Sequence, residues 1–268
     1  MKTAHVFLSK IREVLVRNAD LTPLSGATQM DGAHFCAKPR KPNRRHKTTG
    51  ADVMERLSAK KGGRAATPPK TRMSRASVER LKDRRVIRVA RQSSTEEKQG
   101  ATRSIVAVAL HENEAAVRSF ATRAISPGST LWTDENASYN SLGSMLKHAA
   151  VNHSMEFVSK DGVHDNFCES FNSRMRRSEY GAFHGYRPKY LGDYLWEFAW
   201  REDQRRSTMR ARIMMLLVCA LNSGRSIWWR GYWQGAHRDH ELLFRLGHRE
   251  QFLSDTDPAA RVRTKFPR

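Results

Sequence analysis

Asp134, Glu169 and Arg176 are the side chains in this sequence best placed by type and spacing to act on phosphate. Glu169 follows Asp134 by 35 positions and Arg176 follows the glutamate by seven. Asp134 closes a short β-prone run, Ser129-Thr130-Leu131-Trp132-Thr133. Glu169 falls in a stretch of helical period, Asn166 to Ser178. There Phe167, Phe171 and Met175 share one face, while Asn166, Glu169, Ser173 and Arg176 share another. Glutamate and arginine therefore point away from the apolar stripe. A strand-borne aspartate facing a helix-borne glutamate is one way to hold a divalent cation against phosphate. The same spacing also fits an ordinary solvated helix face, so the surrounding elements must decide.

Those elements alternate. Val6 to Val16 has helical spacing, and Thr22-Pro23 and Ser25-Gly26 break it. Asp31 follows in Gln29-Met30-Asp31-Gly32-Ala33-His34-Phe35-Cys36, read as a first strand. From Lys38 to Arg85 seventeen Lys and Arg stand against four Asp and Glu, with few large apolar residues. This basic insertion reads as mobile in isolation, either a solubilising loop or an arm that tracks DNA. Arg85 to Arg91 and Ser104 to Leu110 read as strands, the second apolar enough to be covered on both faces. Glu114 to Ile125 suits a helix, and Pro127-Gly128 a turn before the Asp134 strand. Tyr139 to His148 is expected as a helix, Val151 to Val158 as a strand, Asn166 onward as the Glu169 helix and Pro188 to Arg206 as another. Three early strands followed by alternation predict an α/β fold: a ribonuclease-H-like mixed sheet flanked by helices, with a helical C-terminal extension. In that order an acid is needed on the first strand, and Asp31 is the only acid between Asp20 and Asp52. An Asp-Gly pair by itself reads as a turn. Glu135 competes with Asp134, since strand neighbours face opposite ways.

Charge narrows the partner. The 268 residues carry 48 Lys and Arg against 27 Asp and Glu, a formal net charge of +21. Such a surface repels itself unless a polyanion is near, which favours nucleic acid. The longest apolar run, Ile213 to Leu221, is too short to span a bilayer, so no membrane partner is expected. The start of the chain lacks the apolar core and cleavage site of a signal peptide. Cys36, Cys168 and Cys219 stand singly, without metal-ligand or disulfide spacing. His148, His153 and His164 likewise lack paired spacing for zinc. Trp196, Phe198 and Trp200 are read as core, and the cluster Trp228-Trp229-Tyr232-Trp233 as core or subunit interface rather than DNA contact.

At these residues the sequence resembles the ISXO-like insertion-sequence DDE transposases. The resemblance is carried by Asp31-Gly32-Ala33-His34-Phe35, Thr133-Asp134-Glu135-Asn136-Ala137-Ser138-Tyr139 and Val151-Asn152-His153-Ser154. It continues through Asp165-Asn166-Phe167-Cys168-Glu169-Ser170-Phe171-Asn172-Ser173-Arg174-Met175-Arg176-Arg177, then Tyr190-Leu191, Glu197 to Asp203 and Trp229-Arg230-Gly231-Tyr232-Trp233. It spans residues 28 to 234, interrupted by the basic insertion. Where relatives tend to carry Tyr-Phe-Gly-Gly after the first Asp-Gly-Ala, this chain has His34-Phe35-Cys36-Ala37. Relatives also carry a zinc-binding and helix-turn-helix region ahead of the first aspartate. Here Val6 to Val16 resembles the last helix of that region, as in an N-terminally shortened copy.

The resemblance implies a DNA transposase that cleaves and joins strands at insertion-sequence ends. The alternative is an inactive DNA-binding remnant, and a third reading is a structure-specific nuclease. It implies Asp31, Asp134 and Glu169 as metal ligands holding two Mg²⁺ (or Mn²⁺) ions about 3.5–4 Å apart. Asn166 is the alternative third member, and Arg176 holds the place of the family's Lys/Arg. Arg174, Arg176, Arg177, Arg44 and Arg45 are expected to contact double-stranded DNA. The expected organisation is 1–25 as remnant of the DNA-binding region, 26–206 as catalytic domain containing the insertion at 38–85, and 207–268 as helical, basic tail. The protein is expected in the prokaryotic cytoplasm, at the nucleoid, as a homo-oligomer on DNA.

Overall fold

Among the described residues, five strands make one mixed sheet in the order β3-β2-β1-β4-β5. The computed structural model describes residues 2–36, 84–94, 100–151, 166–236, 238 and 240–244. Most of the basic insertion, including Arg44 and Arg45, and His153 and His164 lie outside these residues. Helix α1 (Lys2–Arg17) precedes β1 (Ala27–Cys36), β2 (Arg84–Ser93) and β3 (Ala101–Ala109). Then come α2 (Glu114–Ala124), β4 (Thr130–Asp134), a 3₁₀ helix (Ala137–Ser144) and β5 (Lys147–Val151). Helices α3 (Asn166–Gly181), α4 (Pro188–Asp203) and α5 (Met209–Ser223) follow, with a last 3₁₀ turn at Tyr232–Gln234. β1, β2 and β3 pair antiparallel; β1 with β4 and β4 with β5 pair parallel.

The pleat sorts side chains into two cores. Ala33, Phe35, Ile87, Val89, Val106 and Val108 face a layer containing Cys168, Phe171 and Met175 of α3 and Leu191, Leu195 and Ala199 of α4. Met30, Ala90, Ile105, Ala107 and Leu131 face the opposite layer, against Val117, Phe120 and Ala121 of α2 and Tyr139 and Leu142 of the 3₁₀ helix. Covered on both sides, β3 is buried almost throughout, as its apolar composition requires, and β2 is buried from Val86 to Arg91 although it includes Arg88 and Arg91. Trp228 and Trp229 are buried in the first core. Asn113 caps α2 by accepting from the Ala116 amide at 2.9 Å.

One expectation is corrected. The helix expected over Tyr139–His148 is a 3₁₀ helix that stops at Ser144. Its buried anchors, Tyr139 and Leu142, are three residues apart, which a three-residue turn brings to one side. The described strand β5 runs Lys147–Val151, so the strand expected over Val151–Val158 lies outside the described residues beyond Val151; in β5 His148 pairs with Leu131, and its Nε2 lies 2.8 Å from Thr133 Oγ1 of β4.

A buried arginine joins the sheet to its helical layer. The Arg91 guanidinium, on β2, donates to Ser104 Oγ of β3 at 3.1 Å and to the Phe167 carbonyl at 3.0 Å, in the first turn of α3. It also lies 3.6 Å from Glu202 of α4. Glu202 in turn accepts from Arg174 of α3 and lies 3.4 Å from Arg205. Next to it, Asp203 accepts from the Ser104 amide at 3.0 Å and from its hydroxyl at 2.8 Å.

Removing one partner from a buried pair strands the other's charge. Glu202→Ala is therefore expected to cost about 3–5 kcal/mol in urea unfolding. Burial holds the Asp203 carboxyl up at about 6, against 3.8 for an ordinary aspartate. Between those values the folded chain binds the extra proton, so this group's contribution to stability falls as pH rises through that window. Asp203→Asn is expected to flatten that fall, measured by unfolding at a series of pH values.

Candidate active site

The site begins where β1 and β4 run side by side. Their parallel register, Ala27 with Thr130 through Gln29 with Trp132, brings Asp31 level with Asp134 just beyond the last paired residues. Alternation puts Asp31 on the face that carries Ala33 and Phe35, under α3, and puts Asp134 on the side of β4 opposite the buried Leu131. By that register the two acids occupy corresponding positions of adjacent strands, two residues past the last pair. Asp134 Oδ1 accepts from the Asn136 amide at 3.2 Å as the chain leaves β4.

Helix α3 lies over these strands because its first turn is pinned. The Phe167 amide donates to Gln29 Oε1 at 2.9 Å, the Phe167 carbonyl takes Arg91, and Cys168 Sγ donates to the Val89 carbonyl at 3.6 Å. One turn later Asn172 Nδ2 donates to Asp31 Oδ2 at 2.6 Å, while the Gly32 amide donates to Oδ1 at 2.6 Å. Both oxygens of Asp31 are thus oriented. Glu169 stands three residues before Asn172 on α3 and is exposed. Arg176, four residues after Asn172, is exposed and close enough to His34 to disfavour its protonation. Arg177 is exposed, its guanidinium 3.4 Å from Ser173 Oγ. Arg174 is turned towards Glu202 and Ser170 instead. Asn166 is the exposed first residue of α3.

Several members of the site were not singled out from sequence. Asn172 sits at helical spacing from Glu169 and Arg176, a signal that α3's periodicity did contain. Glu112, in the connection from β3 to α2, carries no periodic signal, and only folding brings it beside β1. Its Oε2 lies 2.7 Å from His34 Nε2, and Arg84 Nε donates to His34 Nδ1 at 3.0 Å. A guanidinium can only donate, so Nδ1 accepts and Nε2 carries the proton towards Glu112. Burial, with Arg84 and Arg176 adding to it, holds the His34 pKa below its ordinary value despite the opposing Glu112. A Cβ at Gly32 would meet Glu112 Oε1 at 2.7 Å, so the glycine makes room for that carboxylate. The buried Tyr139 hydroxyl lies near the same point, and burial first, then Asp31, Asp134 and Glu112, push its ionisation far up. Arg88 is fully buried and donates to the His111 carbonyl at 3.0 Å.

Residues 23–203, from just before β1 to the end of α4, match the model of the ISXO2-like transposase domain. The chain belongs to the ISXO2-like transposase family. No curated protein and no solved structure matches it. Within this transposase the matched region contains Asp31, Asp134, Asn166, Glu169 and Arg176, and α5 lies beyond it.

Two level carboxylates on neighbouring strand ends are an all-oxygen donor pair of the kind Mg²⁺ prefers, and in that respect Asp31 and Asp134 fit a divalent cation. Among the described residues no three His, Cys, Asp or Glu side chains are drawn together tightly enough to hold one. No helix among them is long and apolar enough to cross a membrane.

Replacing Glu112 by Gln removes the anion that supports the His34 imidazolium and leaves burial, Arg84 and Arg176 opposing it. In a Glu112→Gln variant the His34 pKa is expected to fall further, read from its ring resonances in an NMR titration. An unchanged value would show that Glu112 does not act on His34.

Proposed function

We propose that this transposase performs divalent-metal-dependent DNA strand cleavage and strand transfer on a ribonuclease-H-like catalytic domain covering residues 26–206. The observation that carries the reading is the register that sets Asp31 level with Asp134 beneath the helix bearing Glu169 and Arg176. The strand order, with three antiparallel strands followed by two parallel ones, supports the same domain type.

In this reading Asp31 and Asp134 hold the cations and Glu169 completes the set, with Asn166 the alternative third member. Mg²⁺ or Mn²⁺, when bound, supplies Lewis acidity at the scissile phosphate and an acidified water. The chain's own residues do the rest. Arg176 and Arg177 bind DNA phosphates, and Arg176's planar fork suits a phosphate beside the acids. Arg44 and Arg45, in the basic insertion, add contacts to the duplex, whereas Arg174 neutralises Glu202. Asn172 holds the Asp31 carboxylate in one orientation through its amide. Hydrolysis breaks a P–O3′ bond at the element end and frees a 3′-hydroxyl. That hydroxyl then attacks a target phosphodiester, forming one P–O bond as another breaks, so no external energy source is needed. The partners are double-stranded element ends and target DNA, met by more than one copy of the chain in the prokaryotic nucleoid.

The test is nicking and strand transfer on DNA bearing the flanking inverted repeats, with Mg²⁺ or Mn²⁺, beside Asp134→Ala and Glu169→Ala. The expected result is metal-dependent product from the native chain and none from either variant, with salt-dependent DNA binding retained by all three. Binding without cleavage by the native chain would instead mark a DNA-binding relic, and cleavage that survives both substitutions would remove the acids from the mechanism.

A further inference from the structure

Among the described residues, helix α5 turns an exposed apolar side outward. Thr208 starts it by accepting from the Ala211 amide at 3.2 Å, and Gly224, at φ 63°, ends it. One side lies on α1: Asn18 Nδ2 donates to Ser223 Oγ at 2.6 Å and reaches the Cys219 carbonyl at 3.4 Å, and Leu15, Met215 and Cys219 line a shared cleft. The opposite side carries Met209, Ile213, Met214, Leu217, Val218 and Leu221. Each of these six is at least half exposed, and Leu221 reaches 82%. They recur with the three- and four-residue spacing of a helix face. No acidic residue occurs anywhere in α5, and Arg210 is the one charge on this face.

An isolated exposed leucine needs no explanation, but six large apolar side chains on one face of a single helix do. Their exposed area amounts to roughly 600 Å² per copy, so two copies pairing through it would bury about 1,200 Å², the lower limit of a specific interface. We propose that the outer face of α5 is a self-association surface that takes α5 of a second copy in antiparallel orientation. Charge sets the orientation. A parallel pair would place the two Arg210 side chains together. An antiparallel pair places each beside the other helix's C-terminal carbonyls, where a cation is favoured. The two-fold axis then passes near Leu217. Because each copy carries a net +21, pairing works against mutual repulsion. Salt screens that repulsion and leaves apolar burial intact, so self-association should tighten as salt rises. DNA binding responds in the opposite sense. The proposal is independent of the catalytic reading, since it concerns the chain without DNA.

The test is sedimentation velocity of the nuclease-treated full chain at low and high salt, beside the double variant Leu217→Glu, Leu221→Glu. The native chain is expected to form dimers that strengthen with salt. The variant's dissociation constant is expected to weaken by more than about a hundredfold, since each lost apolar contact occurs twice in the pair. Both positions are exposed, so circular dichroism should remain native. A second arm needs no disruption: Leu217→Cys should form a disulfide-linked dimer under mild oxidation, and Met209→Cys should not. A monomer at every salt concentration, dimers untouched by the double variant, association that weakens with salt, cross-linking through Met209→Cys instead, or monomers that float with phosphatidylglycerol vesicles would each overturn the proposal.

Discussion

The buried Arg91 guanidinium is the joint on which the arrangement depends. It sits on β2, one strand in from the edge, contacts β3 through Ser104, takes the first turn of α3 through the Phe167 carbonyl and faces Glu202 of α4. Burial lowers its pKa, yet the carboxylates and carbonyl around it make a charged form tenable there. An apolar contact would allow α3 to slide over β1 and β2. A planar donor with fixed hydrogen-bond directions does not. Gln29 adds a second fixed point from β1 itself.

The placing of α3 over Asp31 follows from that pinning. With its first turn fixed over Gln29 and Arg91, α3 lowers Asn172 onto Asp31 and leaves Glu169 and Arg176 on the exposed flanks of the same face. On the sheet's opposite face, Gly32 opens room for Glu112, which pairs with His34. Acidic and basic side chains thus alternate across β1: Asp31 with an amide donor on one face, His34 between Arg84 and Glu112 on the other. The His34-Phe35 dipeptide divides along the same line, with Phe35 buried in the first core and His34 in the polar cluster.

Much of the fold was legible before folding. The alternation at Arg85–Arg91, the apolar run at Ser104–Leu110 and the four-residue spacing of Phe167, Phe171 and Met175 pointed to the central strands and α3, because each sequence period matches one regular backbone geometry. The errors fell where period is short or broken. Tyr139 and Leu142 satisfy both an α and a 3₁₀ spacing, and the choice came from how they meet α2. β5 is a five-residue strand whose identity rests on pairing with β4, a contact between distant residues. The apolar run Ile213–Leu221 was visible as too short for a bilayer, while its exposure was not, since burial depends on what the rest of the chain brings to it.

The sequence by itself determined the residue types and the elements carrying them: acids on two strands and a helix, an arginine two turns beyond the last acid, and a strongly basic chain. Those follow from local periodicity and composition, which each segment carries alone. Only the tertiary structure decided that Asp31 stands level with Asp134, that the Asn172 amide donates to Asp31, and that Glu112 and His34 meet across Gly32. Strand register and helix placement are set by contacts between residues far apart in the chain, and no local pattern encodes the distance between them.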